Sequence, residues 1–133
     1  MSAIKGACAS LKLKDNAKPI HLKARPVPYK LLPLIDKELE FLVDKKILQK
    51  IDSSEYATPI VPILKKNNRV RICGDFSVTV NPQIQIDEHP LPPIDELFSS
   101  MAGGVIFSKI DLEQAYLQMS LDTNSSEVLV LNT

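Results

Sequence analysis

Proline constrains this chain more than any other residue type. Ten prolines stand against four glycines, and they gather at Pro19, between Pro26 and Pro33, at Pro59 and Pro62, at Pro82, and between Pro90 and Pro93. Each fixes its own φ, gives up a backbone donor and drives the residue before it out of the helical region. Regular elements are therefore confined to the intervals. In 133 residues this leaves one domain's worth of short helices and strands, an α+β composition with enough chain to bury a core.

Residues 11–23 alternate and are lysine-rich, which predicts one or two exposed edge strands. Arg25-Pro26-Val27-Pro28-Tyr29 must run extended as a connector. From Pro33, a favourable first-turn residue, Ile35, Leu39, Leu42 and Val43 fall on one stripe with charges opposite, predicting an amphipathic helix that ends near Lys46. Asp52-Ser53-Ser54-Glu55 is turn chemistry, and the apolar run over 60–64, with Pro59 and Pro62, predicts an edge or bulged strand. A short helix is expected from Pro93 through Leu97 and Phe98 to about Met101, closed by Gly103-Gly104. Val105-Ile106-Phe107-Ser108-Lys109-Ile110 reads as a strand ending on Asp111, with a short helix over 112–118. The last apolar run, 128–131, is expected to pair with that strand.

Two groups of residues carry chemistry. Lys65-Lys66-Asn67-Asn68-Arg69-Val70-Arg71-Ile72 reads as a hairpin, because asparagine tolerates the left-handed backbone of a tight turn. With Asn67 and Asn68 as a two-residue loop, Lys66 faces Arg69 and Leu64 faces Arg71. Lys66, Arg69 and Arg71 then share a face, and Ile63, Val70 and Ile72 share the other with Lys65. Such a fork suits phosphate oxygens, to which arginine donates in pairs and lysine presents a point charge. It equally suits a solvated edge kept basic against aggregation.

The second group centres on Asp111, a carboxylate closing an apolar strand, where phosphoryl-transfer enzymes hold magnesium. An aspartate there also fits a helix N-cap, with Glu113 and Gln114 completing a capping box. The residues after it offer only Glu113, Asp122 and Glu127 as further carboxylates, none at a spacing that pairs with Asp111. Asp75, between Gly74 and Phe76, reads as a structural residue at a bend.

Several classes lack support. Sixteen basic residues balance sixteen acidic ones, so any polyanion contact must come from local clustering. Cys8 and Cys73 are far apart, without histidine at ligand spacing, and read as free thiols. His21 and His89 have no nucleophile or ligand partner nearby. The start of the chain lacks the apolar core of a signal peptide, and charges or prolines interrupt every candidate membrane span. An intracellular location, cytoplasmic or nuclear, is the expectation.

Taken in order, the blocks resemble the reverse transcriptases of gypsy-type long-terminal-repeat retrotransposons and their retroviral relatives. The matching stretches are Arg25-Pro26-Val27-Pro28-Tyr29, Lys46-Ile47-Leu48, Ser53-Ser54-Glu55-Tyr56-Ala57-Thr58-Pro59-Ile60-Val61, Lys65-Lys66 with Val70-Arg71-Ile72-Cys73-Gly74-Asp75-Phe76, Pro90-Leu91-Pro92-Pro93-Ile94, and Phe107-Ser108-Lys109-Ile110-Asp111-Leu112 with Ala115-Tyr116 and Gln118. Their order and spacing make the resemblance specific. It implies a right-hand polymerase, with an extended segment carrying edge strands over 1–29, a fingers-like region over 30–104 and the start of the palm over 105–133.

The resemblance further implies that Asp111 is one of three carboxylates holding two Mg2+ ions for nucleotidyl transfer. Tyr116 would lie under the incoming sugar and help to exclude a 2′-hydroxyl. Arg71 and either Lys65 or Lys66 would grip the triphosphate. Template-primer of RNA or DNA and deoxynucleoside triphosphates are the implied partners, with no membrane. The chain departs from the family at Ser77, where the usual arginine is lost, at Glu127 in place of a common lysine, and in stopping at Thr133 before the hairpin that carries the other two aspartates. The expectation is thus a fragment of an RNA-directed DNA polymerase, inactive alone and separated from the remainder of a Pol polyprotein. The alternative is a nucleic-acid or partner-binding remnant without catalysis.

Overall fold

The computed structural model describes residues 4–86, 89–112 and 114–133. Among these the elements are β1 (Cys8–Ala9), α1 (Leu32–Asp44), β2 (Thr58–Leu64), β3 (Val70–Gly74), α2 (Ile94–Ser100), β4 (Ser120–Leu121), α3 (Thr123–Val128) and β5 (Leu131–Asn132). Single 3₁₀ turns lie at Tyr29–Leu31, Phe76–Val78, Asn81–Gln83 and Ala115–Gln118. The class is α+β. Among the described residues no helix is long and apolar enough to cross a membrane.

Helix α1 follows from its sequence. Pro33 sits in the first turn, where its missing N–H costs nothing. Ile35 is buried, and Leu39, Leu42 and Val43 are half-buried on the same stripe. The helix ends where Lys46 turns left-handed at φ 57° and the amides of Ile47 and Leu48 both donate to the Leu42 carbonyl. Its apolar stripe covers the β2–β3 hairpin. Ile35, Ile60 and Val70 meet there, with Val27, Leu31, Leu34, Leu39, Ile72 and Leu131 packed around them.

The strand order is β3-β2-β5, antiparallel between β3 and β2 and parallel between β2 and β5. The prolines explain how β2 is both central and an edge. β5 reaches only Thr58 and Pro59, so the remainder of β2 is open on that side. Pro62 lies opposite Ile72 in a pair that exchanges no ladder bonds, so its absent donor faces the open edge. At Pro59 the carbonyl still accepts from the Asp75 amide at 3.0 Å, but proline cannot return the bond and the ladder stops. Gly74 lets β5 approach, because a Cβ there would lie 2.6 Å from carbons of Leu131 and Phe76. Beside this seam the hydroxyls of Thr58 and Thr79, both fully buried, hydrogen-bond at 2.7 Å.

Four sequence expectations of secondary structure fail. Residues 11–23 make isolated bridges, Leu13 to Ile84 and His21 to Ala57, instead of edge strands. Their backbone bonds go in turn to the Ser125 hydroxyl, to Gln83 and to Ala57, so no partner runs alongside long enough for a ladder. Residues 105–110 form no strand, and Ile106 and Ile110 are 90% and 85% exposed. An apolar run of this length needs sheet neighbours to satisfy its backbone, and it pairs with none of the described strands.

The final strand pairs instead with β2, because α3 takes residues 123–128. Asp122 starts that helix by accepting from the Ser125 amide at 2.7 Å, a capping signal that the apolar reading of 128–131 overlooked. The helix expected over 112–118 is a 3₁₀ turn over Ala115–Gln118, entered through Gln114 at φ 50°. Glu113, half of the expected capping box, lies outside the described residues.

Candidate functional site

The hairpin between β2 and β3 holds the basic residues. Its turn closes with the Asn68 amide donating to Lys65 O at 3.1 Å and the Lys65 amide to Arg69 O at 2.8 Å. Asn68 is left-handed, at φ 58°. The loop is therefore three residues, Lys66, Asn67 and Asn68, with the left-handed residue last. A two-residue loop over Asn67 and Asn68 was expected. The extra residue moves the register by one, so Leu64 faces Val70 and Ile63 faces Arg71.

This shift redistributes the charges. Ile60, Leu64 and Val70 occupy one face, with Ile72 and Pro62, and turn toward α1. Val61, Ile63, Arg71 and Cys73 occupy the open face. Arg71 thus shares a face with Ile63, where the sequence reading had separated them, and Val70 does not share one with Ile63. Arg71, Lys65 and Lys66 are exposed, and none forms a side-chain hydrogen bond or ion pair among the described residues. Arg69 leaves the expected fork. It reaches Glu38 on α1 at 2.9 Å and lies over the Phe41 ring, 5.3 Å from the centroid.

At the other end of β3, Asp75 takes the structural place expected of it. Its carboxylate accepts from the Ser77 hydroxyl and, at 2.5 Å, from the Arg25 guanidinium. The Ser77 bond and then Arg25 hold the carboxyl below its ordinary value. Arg25, read from the sequence only as part of a connector, was missed as a partner. Only the fold brings together residues fifty positions apart.

Asp111 and Tyr116 stand apart from the hairpin's bonding. Both are exposed, Tyr116 at 94%. Neither makes a side-chain hydrogen bond or ion pair among the described residues. Among the described residues there is no group of three or more His, Cys, Asp or Glu side chains that could hold a metal ion. A two-magnesium centre needs several converging carboxylates, and the described residues alone do not assemble them around Asp111.

No protein-family model matches the chain. Curated proteins do. The chain is 37% identical over 127 residues, 94% of its length, to an uncharacterized protein of Caenorhabditis elegans. It is 26% identical over 129 residues, 92% of its length, to the retrovirus-related Pol polyprotein from transposon 412 of Drosophila melanogaster. It is 25% identical over 113 residues, 85% of its length, to the transposon Tf2-3 polyprotein of Schizosaccharomyces pombe. The chain spans 10%, 10% and 8% of these relatives respectively. Similarity to transposon polyproteins over most of the chain supports a Pol-polyprotein origin.

Proposed function

We propose that these residues are the fingers and first palm segment of a gypsy-type reverse transcriptase, an RNA-directed DNA polymerase carried within a Pol polyprotein. The observation that carries this reading is Arg71, exposed and without a side-chain partner among the described residues, on the open face of a hairpin that also carries Lys65 and Lys66, in a chain similar to transposon polyproteins. Three exposed cations that have no carboxylate partner among the described residues suit a polyanion, and arginine's planar fork matches phosphate oxygens. In this reading Arg71 and one of Lys65 or Lys66 grip the triphosphate of a deoxynucleotide, Tyr116 supports its sugar, and Asp111 contributes one carboxylate to a magnesium site.

Polymerisation requires two further carboxylates converging on Asp111, and the described residues form no such group, so no catalytic step follows from them. Two measurements test the reading. Titration with a deoxynucleoside triphosphate should show binding that Arg71→Ala abolishes while circular dichroism stays unchanged. Primer extension with magnesium should show no incorporation above that of Asp111→Ala. Triphosphate binding indifferent to Arg71 would overturn the first part, and incorporation clearly above the variant would overturn the second.

A further inference from the structure

The contacts of Arg69 suggest how the cationic hairpin is held in place. The turn residues over 65–69 are all exposed, and Lys65, Lys66, Arg69 and Arg71 crowd like charges onto one short hairpin. Mutual repulsion favours splaying the tip away from the helix. Opposing it, Glu38 sits on α1 with its side chain 14% exposed and accepts from the Arg69 guanidinium at 2.9 Å. The same guanidinium lies over the Phe41 ring, and Lys45 lies over that ring with its ammonium 5.7 Å from the centroid. Phe41 is one helical turn beyond Lys37 and three residues beyond Glu38, so both Arg69 contacts fall on one α1 face. Leu34, Lys37, Glu38, Phe41, Arg69 and Val70 line a partly open pocket of about 310 Å³ at this contact. Apolar contact between tip and helix is therefore not continuous here, and the Arg69 contacts to Glu38 and Phe41 join the two.

We propose that Arg69, with Glu38 and Phe41, is a positioning residue. It fixes the hairpin tip against α1 so that Lys65, Lys66 and Arg71 are presented together, and it does not itself touch the bound anion. This rests on the triphosphate reading above. The geometry makes Arg69 a poor anion ligand, since its charge is already matched by Glu38 and its face by Phe41.

The sign of one substitution separates positioning from simple electrostatics. Glu38→Gln removes a negative charge near a cationic site and releases Arg69, so Coulomb attraction alone predicts tighter anion binding. Positioning predicts the reverse, a weakening of roughly three- to tenfold, the size usual for coupled neighbours. The full chain is titrated with a deoxynucleoside triphosphate, and amide hydrogen exchange is followed at Lys65 and Asn68, whose N–H groups close the turn. Faster exchange at both amides with weaker binding in Glu38→Gln, repeated in Phe41→Leu, is the expected result.

Unchanged exchange would overturn the clamp. Faster exchange with equal or tighter binding would overturn its positioning role while leaving the triphosphate reading intact. If the unaltered chain fails to bind the triphosphate, the reading itself falls and the positioning role falls with it.

Discussion

Ile63 stands across the ladder from Arg71, which places the guanidinium on the sheet face turned away from α1. The opposite face carries Ile60 and Val70 into contact with Ile35. One residue of turn length decides this arrangement. Had the loop been two residues, Arg71 would face Leu64 and point toward the helix, where an unpaired guanidinium carries a heavy desolvation cost.

The turn therefore depends on Asn68. Its left-handed backbone, at φ 58°, is accessible to asparagine and more so to glycine, but strained for residues with a plain Cβ. Asn68→Gly should leave the denaturation midpoint unchanged or slightly raised. Asn68→Ala should lower stability by about 1 kcal/mol, read by urea unfolding. Equal stabilities for the two variants would argue against the three-residue loop.

The core and the apolar segment over 105–110 should respond oppositely to truncation. Ile35 is 4% exposed within the central cluster, and Ile35→Ala should cost about 2–5 kcal/mol. Ile106 is 90% exposed, and Ile106→Ala should change stability by less than about 0.5 kcal/mol. A large loss at Ile106 in the isolated chain would mean that this segment packs.

Acid sensitivity should come from two half-buried carboxylates. Asp75 is held below its ordinary value of 3.8 by the Ser77 hydroxyl and by Arg25. Asp122 is lowered from the same value by Ser10 and then by the Ser125 side chain and backbone amide. A carboxyl whose folded pKa is depressed contributes stability that is complete above the unfolded value. It shrinks as pH falls below about 3.8 and is gone below the folded value. Unfolding free energy should therefore decline with acid in that window. The decline should be shallower in Asp75→Asn and in Asp122→Asn, as urea titrations at stepped pH would measure. A variant with an undiminished slope would show that its carboxyl is not linked to folding.

Apolar periodicity over 33–46 and the spacing of proline and glycine over 90–104 sufficed to place α1 and α2, because both signals are local. The existence of the basic hairpin was legible for the same reason, from two asparagines between apolar runs. Its register was not, since a slip of one residue exchanges the two faces without changing composition. The tertiary structure also gave β5 to β2 and tied Arg25 to Asp75. It turned Arg69 onto Glu38 and Phe41 and left Asp111 exposed without a strand beneath it. These are pairings between distant residues, in which several partners are chemically acceptable, and only the packing of α1 on the hairpin and the reach of each backbone edge selects among them.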